Sequence, residues 1–374
     1  MKVCQSLKFC VLVGTRPEII KMSSIIRFLE KKNRDFFILH TGQHYSINMD
    51  RIFFDELELP QPKHNLEVGE AGSGSHAKQT ALMLERIESV LLEEKPDVLL
   101  VQGDTNTVLA GALAASKIGV KVCHVEAGLR SYDRKMPEEI NRVMADHLSD
   151  LLFAPTNKSA NILLMENVKK EKIFVTGNTI VDAVLQNLKI SEKKKSPLEK
   201  LGLEMKKYVL VTAHRQENVD SRKKLESIIS GLKKIAVKHN LKVVYPVHPR
   251  TKNMIKKFRI RIPKELFFIE PVGYLDFLQL EKHAKVILTD SGGLQEEACI
   301  LNVPCITLRE NTERPETLES GANILVGTDS SSILNGFERM IMYGKNWKNP
   351  FGDGKSGERI IKIIEEEQKK WKKS

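Results

Sequence analysis

Short apolar runs rich in Val, Ile, Leu and Phe punctuate the chain and alternate with longer stretches whose apolar residues recur at helical spacing. Continuous apolar runs of strand length, separated by amphipathic helical segments, are the pattern of parallel strands covered on both faces. The predicted strands of the first half are "FCVLVG" (9–14), "DFFILHT" (35–41), "DVLLVQGD" (97–104), "KVCHVEAG" (121–128), "LLFAPT" (151–156) and "IFVTGN" (173–178). A second series follows, with "YVLVTAH" (208–214), "KVVYPVH" (242–248), "LFFIEPV" (266–272), "KVILTDSGG" (285–293), "VPCITL" (303–308) and "NILVGT" (323–328). The interruption between them is the charged stretch "SEKKKSPLEKLGLEMKK" (191–207). The pattern predicts an α/β chain of two doubly wound domains, 1–190 and 206–374, divided at the lysine-rich stretch, with the last helix free to pack back on the first domain.

Open parallel sheets gather ligands at the carboxyl ends of their strands. Those ends here carry Gly14-Thr15-Arg16, Gln43-His44, Gly103-Asp104, His124 and Glu126, His214-Arg215, His248-Pro249-Arg250 and Asp290-Ser291-Gly292-Gly293. Between two domains they would face one cleft. At the first of them Gly14 lets the backbone turn, Thr15 can cap and Pro17 suits the first turn of a helix. Arg16 then sits where helix amides and a guanidinium converge on an anion, with Lys21 further along. In "TDSGGLQEEA" (289–298) two glycines follow a strand and expose backbone N–H groups at a helix start, as a phosphate-binding corner requires. The plainer readings are a capped helix with a solvated arginine and a tight turn. No G-x-G-x-x-G follows a strand and no G-x-x-x-x-G-K-[ST] occurs, so neither a tightly held dinucleotide nor a P-loop is supported.

Composition narrows the partners. The 374 residues carry 59 Lys+Arg against 48 Asp+Glu, a net charge of +11, but the lysines are mixed with acids and form no aromatic-interleaved basic ribbon. Nucleic acid is therefore not expected, and anionic small ligands are. No apolar stretch approaches the roughly 18 residues of a membrane span, and the run at 9–13 is too short for an export signal. Five cysteines without a C-x-x-C pair fit a reducing cytoplasm. His124, His214 and His248 sit at separate strand ends, so no metal site is expected.

"GTRPEIIK", "QGDTNTVLAG", "HVEAGLRSYDRKMPEEINR", "VTAHRQEN", "TDSGGLQEEA", "NTERPE" and "NPFGDGKSG" occur in this order across almost the whole chain. Together they closely resemble the non-hydrolysing UDP-N-acetylglucosamine 2-epimerases. The resemblance implies a glycosyltransferase-B-like fold of two Rossmann-like domains, a homodimer without cofactor, and interconversion of UDP-N-acetylglucosamine (UDP-GlcNAc) with UDP-N-acetylmannosamine (UDP-ManNAc). A downstream UDP-ManNAc dehydrogenase would use the product for a surface polysaccharide or glycan. The resemblance places Asp104 and Glu126 at the sugar, Glu138 as a proton-transfer partner and His214 near the leaving phosphate. It puts Arg16 and Lys21 with the diphosphate end, Ser291, Gly292 and Gly293 on the phosphates, Glu297 on the ribose hydroxyls, Phe277 by the uracil and Arg314 facing the substrate. Bacterial members bind a second UDP-GlcNAc as activator, with Gln43, Arg215 and His248 at matching positions. This chain departs from them in "NLEVGEAGSGSHAKQT" (65–80), where those members carry an arginine.

The chemistry explains a need for several carboxylates. Carbon 2 of the sugar has no adjacent carbonyl, so its proton is too weakly acidic for direct removal and the leaving group must depart first or concurrently. In the α-linked gluco sugar the anomeric oxygen and the hydrogen on carbon 2 are antiperiplanar, so UDP can be expelled as the proton is taken, giving 2-acetamidoglucal. Return to the manno epimer requires UDP on the same face and a proton from the opposite side, hence two proton-transfer positions or one with a shifted intermediate. Plainer roles are open too: Asp104 can cap the next helix, Glu138 after Pro137 suits a first turn by charge alone, His214 can be a satisfied buried histidine and Phe277 a core aromatic. Two rivals remain: a sugar-nucleotide glycosyltransferase of the same fold, which would share the phosphate-binding corner but need an acceptor, and a non-catalytic UDP-sugar sensor, which would bind without turnover. The collected acids speak against the sensor.

Overall fold

The computed structural model describes residues 7–43, 47–71, 75–342 and 347–371. Cys4 and His44, the latter at a predicted strand end, lie outside these described residues. The chain forms two compact units, Met1–Gln186 with Phe351–Ser374, and Asn187–Pro350.

The first unit is built on a seven-stranded sheet of β1 (Lys8–Val13), β2 (Asp35–His40), β3 (His64–Asn65), β4 (Val98–Gln102), β5 (Lys121–Val125), β6 (Leu151–Ala154) and β7 (Ile173–Val175). Its order is β3-β2-β1-β4-β5-β6-β7 and every pairing is parallel. The chain winds outward to β3 and then returns to lay β4 beside β1, so the topological switch lies between those two strands. Apart from Lys8, every residue of β1 and β4 is buried, which is why both read as unbroken apolar runs. The helix Asn106–Lys117 crosses so close to the sheet that a Cβ on Gly111 would stand 2.1 Å from Leu12 Cδ2. Each predicted strand overlaps an observed one, shortened where the chain leaves the ladder to form the loops at Gly14 and Gly103. The two-residue β3 went unpredicted because it is too short to show any period.

The final helix, Ser356–Trp371, belongs to this first unit and lies on the helix Arg16–Lys31. The approach is close: a Cβ on Gly357 would stand 2.9 Å from Ser24 Oγ. Asp182 accepts hydrogen bonds from the backbone N–H groups of Ser356 at 3.1 Å and Gly357 at 3.0 Å, and Arg34 pairs with Glu365 at 2.8 Å.

The second unit carries a six-stranded sheet of β8 (Tyr208–Thr212), β9 (Lys242–Pro246), β10 (Leu266–Ile269), β11 (Val286–Thr289), β12 (Cys305–Thr307) and β13 (Asn323–Leu325). Its order, β10-β9-β8-β11-β12-β13, is again wholly parallel, with the switch between β8 and β11. The division of the chain falls inside the helix Thr179–Ser191, ahead of the lysine-rich stretch where the sequence suggested it. The reason is apolar: Leu198 and Leu203, set among the lysines, are buried in one cluster with Tyr208, Leu210 and Leu280 of the second unit. Among the described residues no helix is long and apolar enough to cross a membrane, and Cys10, Cys123, Cys299 and Cys305 are buried and unbridged.

The cap on the final helix generates a stability prediction. Asp182→Ala strands two buried N–H groups and should lower the free energy of unfolding by about 1–3 kcal/mol. Urea denaturation of the two proteins measures it, and equal midpoints would mean that the cap contributes nothing.

Candidate active site

In the first unit the loop after β1 is held by a carboxylate. Glu18, three residues beyond Thr15 and fully enclosed, accepts hydrogen bonds from the backbone N–H groups of Gly14 at 2.6 Å and Thr15 at 2.9 Å and from the Thr105 hydroxyl. It thereby ties the loop after β1 to the loop after β4, across the switch point. Gly14 leaves no alternative residue there: a Cβ would stand 2.2 Å from the hydroxyls of both Thr41 and Thr107. Arg16, at the first position of the helix Arg16–Lys31, has its guanidinium 5.5 Å from the centre of the Phe53 ring.

Two predicted carboxylates stand at the ends of the adjacent strands β4 and β5. Glu126 is buried with φ +69°, a left-handed backbone that a non-glycine residue adopts only where its surroundings enforce it. Its carboxylate accepts hydrogen bonds from Lys21 Nζ, at 2.8 and 2.5 Å, and from Gln102 Nε2 at 2.6 Å. Lys21 thus lies on a catalytic candidate, where the resemblance had put it with the diphosphate. Asp104, about one third exposed, pairs with the guanidinium of Arg142, which also lies 3.2 Å from Glu139. Asn141 Nδ2 donates to the Asp104 carbonyl at 2.9 Å. Asp104 does not cap the helix that follows; that cap is Thr105, whose side chain accepts from the Val108 N–H.

Behind these lies a buried charge network. His124 Nδ1 is 2.7 Å from Asp146, its Nε2 is 2.8 Å from the Gly103 carbonyl, and Asp146 also pairs with Arg130 at 2.7 Å. Burial opposes a charge on His124, but the Asp146 carboxylate outweighs it and raises the imidazole above its ordinary value. A carbonyl on one nitrogen and a carboxylate on the other require both ring nitrogens to donate. Glu138 is exposed on the first turn of the helix Pro137–Leu148, while its neighbour Glu139 is buried and accepts from the backbone N–H groups of Ser131 and Tyr132. Gln43 is buried, and its side-chain oxygen accepts from the Thr107 N–H at 3.2 Å and hydroxyl at 2.8 Å.

In the second unit Asp290, wholly buried at the end of β11, performs for the β8 loop what Glu18 does for that of β1. It accepts from the backbone N–H groups of His214, at 3.0 Å to the nearer oxygen, and Arg215 at 3.0 Å, and from Asn218 Nδ2 at 3.1 Å. The His214 ring is partly exposed, with its Nδ1 3.5 Å from Asp290, and is not a buried histidine. It leans on the ring of His248 at 5.4 Å between centres. Burial, and then the His214 and Arg250 charges, lower the His248 pKa. Arg215 lies 3.9 Å from Glu217. Ser291 occupies the N-cap position of the helix Gly292–Ile300, its own N–H donates to Thr289 Oγ1 at 2.9 Å, and the space where a Gly293 Cβ would stand is open. Glu297 is buried one turn further on and accepts from the Tyr274 hydroxyl at 3.0 Å. Arg314 turns to the buried Glu296 at 2.8 Å. Phe277 packs on the core cluster of Tyr208 and Leu280, the plainer of its two readings.

Sequence reasoning passed over Glu18, Arg142, Asp146 and Asp290 as working residues. Glu18 alone announced itself, since Thr15 and Glu18 stand at the spacing of a capping box. The others are found only through the partners that the fold delivers.

Glu18 also sets a pH dependence. Burial, partly offset by its three hydrogen bonds, pushes the carboxyl from an ordinary 4.5 up to about 7. Between those values the folded protein retains a proton that the unfolded chain has released, so stability falls as pH rises through that window, by on the order of 3 kcal/mol from this group. Glu18→Gln should flatten that part of the stability curve measured by urea unfolding. Curves of the same slope would mean that Glu18 ionises at its ordinary value.

Comparison with known proteins joins these observations. The family model described as UDP-N-acetylglucosamine 2-epimerase matches residues 27–365. Over 364 residues the chain is 58% identical to the UDP-N-acetylglucosamine 2-epimerase of Methanocaldococcus jannaschii, across 96% of this chain and 99% of that one. It is 38% identical over 365 residues to the UDP-2,3-diacetamido-2,3-dideoxy-D-glucuronate 2-epimerase of Pseudomonas aeruginosa, across 96% of this chain and 99% of the relative. A crystal structure of the M. jannaschii UDP-GlcNAc 2-epimerase in complex with UDP-GlcNAc and UDP matches with a TM-score of 0.85 at 58% identity, covering 96% of this chain and 99% of that one. With two Rossmann-like parallel sheets of the glycosyltransferase-B-like class, switch-point loops locked by buried carboxylates and this likeness along nearly its whole length, the chain belongs to the UDP-N-acetylglucosamine 2-epimerase family of isomerases.

Proposed function

We propose that this protein is a non-hydrolysing epimerase that interconverts UDP-GlcNAc and UDP-ManNAc without a cofactor, by anti elimination of UDP and its syn re-addition. The observation that carries the reading is the pair of carboxylates on neighbouring strand ends, Asp104 and Glu126, each in contact with a cation. A carboxylate removes the proton from carbon 2, the bond from carbon 1 to the diphosphate oxygen breaks with its electrons going to UDP, and a double bond forms between carbons 1 and 2. Re-addition reverses these changes with a proton delivered from the other face. Lys21 holds Glu126 through hydrogen bonds to both carboxylate oxygens. Transfer of that ammonium toward the diphosphate would free the base and stabilise the leaving group in one movement.

Arg16, His214, Ser291 and the amides of Gly292 and Gly293 are assigned to the diphosphate, Glu297 to the ribose and Phe277 to the uracil edge. Arg314 faces the substrate only if it exchanges its bond to Glu296. Arg215 and His248 are the candidates for an activator contact, with Gln43 a weaker member because its side-chain oxygen is committed to Thr107. The same reading makes the protein a cytoplasmic homodimer whose UDP-ManNAc feeds a dehydrogenase and then a polysaccharide or glycan.

Pure protein given UDP-GlcNAc alone in heavy water should yield the manno epimer with deuterium at carbon 2, seen by NMR. Turnover that appears only with an added acceptor would establish the glycosyltransferase instead. Asp104→Asn and Glu126→Gln should each reduce turnover by on the order of 10²-fold or more. Glu138→Gln tests the exposed acid: activity within a few-fold of wild type returns it to a helix-terminus charge. Substrate labelled at the bridging oxygen should scramble its label into the non-bridging positions, and exchange of the carbon 2 proton without scrambling would count against the glucal.

A further inference from the structure

The loops that carry Asp104 and Glu126 are joined underneath by one side chain. His124, on β5, is 1% exposed and has no face to offer a substrate. Its Nε2 lies 2.8 Å from the carbonyl oxygen of Gly103, the residue before Asp104, while the Gly103 N–H donates to the Val125 carbonyl at 3.2 Å. The turn that leads into Asp104 is thus fastened to β5 through both backbone groups of Gly103. On the other side of the ring, Nδ1 lies 2.7 Å from Asp146 Oδ1 on the helix Pro137–Leu148. The second oxygen of Asp146 accepts from the Gly128 N–H at 3.2 Å and pairs with Arg130 at 2.7 Å, both in the segment that follows Glu126. Gly128 is itself fixed, with φ +79° and only 2.3 Å between a Cβ placed there and the Ser159 carbonyl oxygen. One turn before Asp146 on the same helix, Arg142 pairs with Asp104 and Asn141 donates to the Asp104 carbonyl at 2.9 Å.

Both partners of the ring are acceptors, so both ring nitrogens carry hydrogen and the ring is an imidazolium. The charges that face it are Asp146, Glu126 from the end of its own strand and, across Asp146, Arg130. Burial opposes the cation, and the two carboxylates with the Gly103 carbonyl outweigh it. A neutral ring would keep one donor and leave either the Gly103 carbonyl or the Asp146 oxygen facing a lone pair.

We propose that His124 is a positioning residue for the epimerisation: as a buried, doubly donating imidazolium it ties the Asp104 loop to the Glu126 loop through Gly103 and Asp146, and so fixes the separation and aim of the two carboxylates. This rests on the reading of Asp104 and Glu126 as the proton-transferring acids. Misplacing a reacting group by about 1 Å costs on the order of 10²-fold in rate. The groups assigned to the diphosphate, Arg16, His214 and the start of the helix Gly292–Ile300, make none of these contacts, so UDP binding should not follow the loss.

The test uses the full-length protein, with turnover followed as deuterium exchange at carbon 2 and UDP binding followed by calorimetry. His124→Gln, whose single amide nitrogen cannot serve both acceptors, should lower kcat by about 10–100-fold while UDP affinity stays within about threefold of wild type. Asp146→Asn, which removes the compensating charge, should give the same split. In wild type labelled with nitrogen-15 at histidine, one ring should show both nitrogens protonated at the pH where the exposed histidines are half neutral. Those two resonances should be lost in His124→Gln and titrate with the exposed histidines in Asp146→Asn. Should His124→Gln fail to fold, Asp146→Asn and the wild-type resonances still decide. A bare nitrogen in the wild-type ring at that pH, kcat within about threefold of wild type in His124→Gln, or kcat and UDP affinity that fall together would overturn the proposal. Asp104→Asn and Glu126→Gln, measured alongside, keep the two readings apart. Wild-type turnover in both sinks the acids and the positioning role with them, while loss of turnover in both beside a fully active His124→Gln sinks His124 alone.

Discussion

At each topological switch point a buried carboxylate accepts the backbone N–H groups of the loop that must stay open to a ligand. Glu18 holds Gly14 and Thr15 after β1, and Asp290 holds His214 and Arg215 after β8. Parallel sheets leave these amides without ladder partners, and a buried amide without an acceptor costs about 1–3 kcal/mol. A carboxylate can serve several at once, and it reaches the neighbouring strand end as well: Glu18 takes the Thr105 hydroxyl, while Asp290 itself follows directly on β11. The shape of both loops, and hence the direction of Arg16, Asp104 and His214, follows from these two acceptors.

Desolvation then governs the remaining chemistry. An acid sunk at a strand end needs a cation, a set of donors or a proton. The first unit supplies cations, with Lys21 at Glu126, Arg142 at Asp104 and His124 with Arg130 at Asp146. The second unit supplies donors, with the N–H groups of His214 and Arg215 and the Asn218 amide at Asp290.

Much of this was legible in the chain. Val11, Leu12, Leu99, Leu100 and Val101 are buried strands on both faces, and no helical pattern competes with them. Gly14 and Gly103 marked the ends of those strands because a turn with φ +84° at Gly103 favours glycine and hydroxyls 2.2 Å from a Gly14 Cβ exclude a side chain. Thr15 and Glu18 announced their own contact by spacing. In the lysine-rich stretch composition saw the charges, while packing used its two leucines, Leu198 and Leu203.

What the sequence by itself determined is therefore whatever depends on near neighbours: strand or helix, the start of a helix, a glycine where only glycine fits, and an ordered set of motifs that names the family. Tertiary structure alone decided which of two adjacent glutamates, Glu138 or Glu139, turns inward, that Lys21 lies on Glu126 across 105 positions of chain, and that Asp290 accepts from the N–H groups of His214 and Arg215. Protonation and ion pairing depend on distance and desolvation, and both are set by strand order and helix packing, on which a carboxylate's sequence neighbours have no bearing.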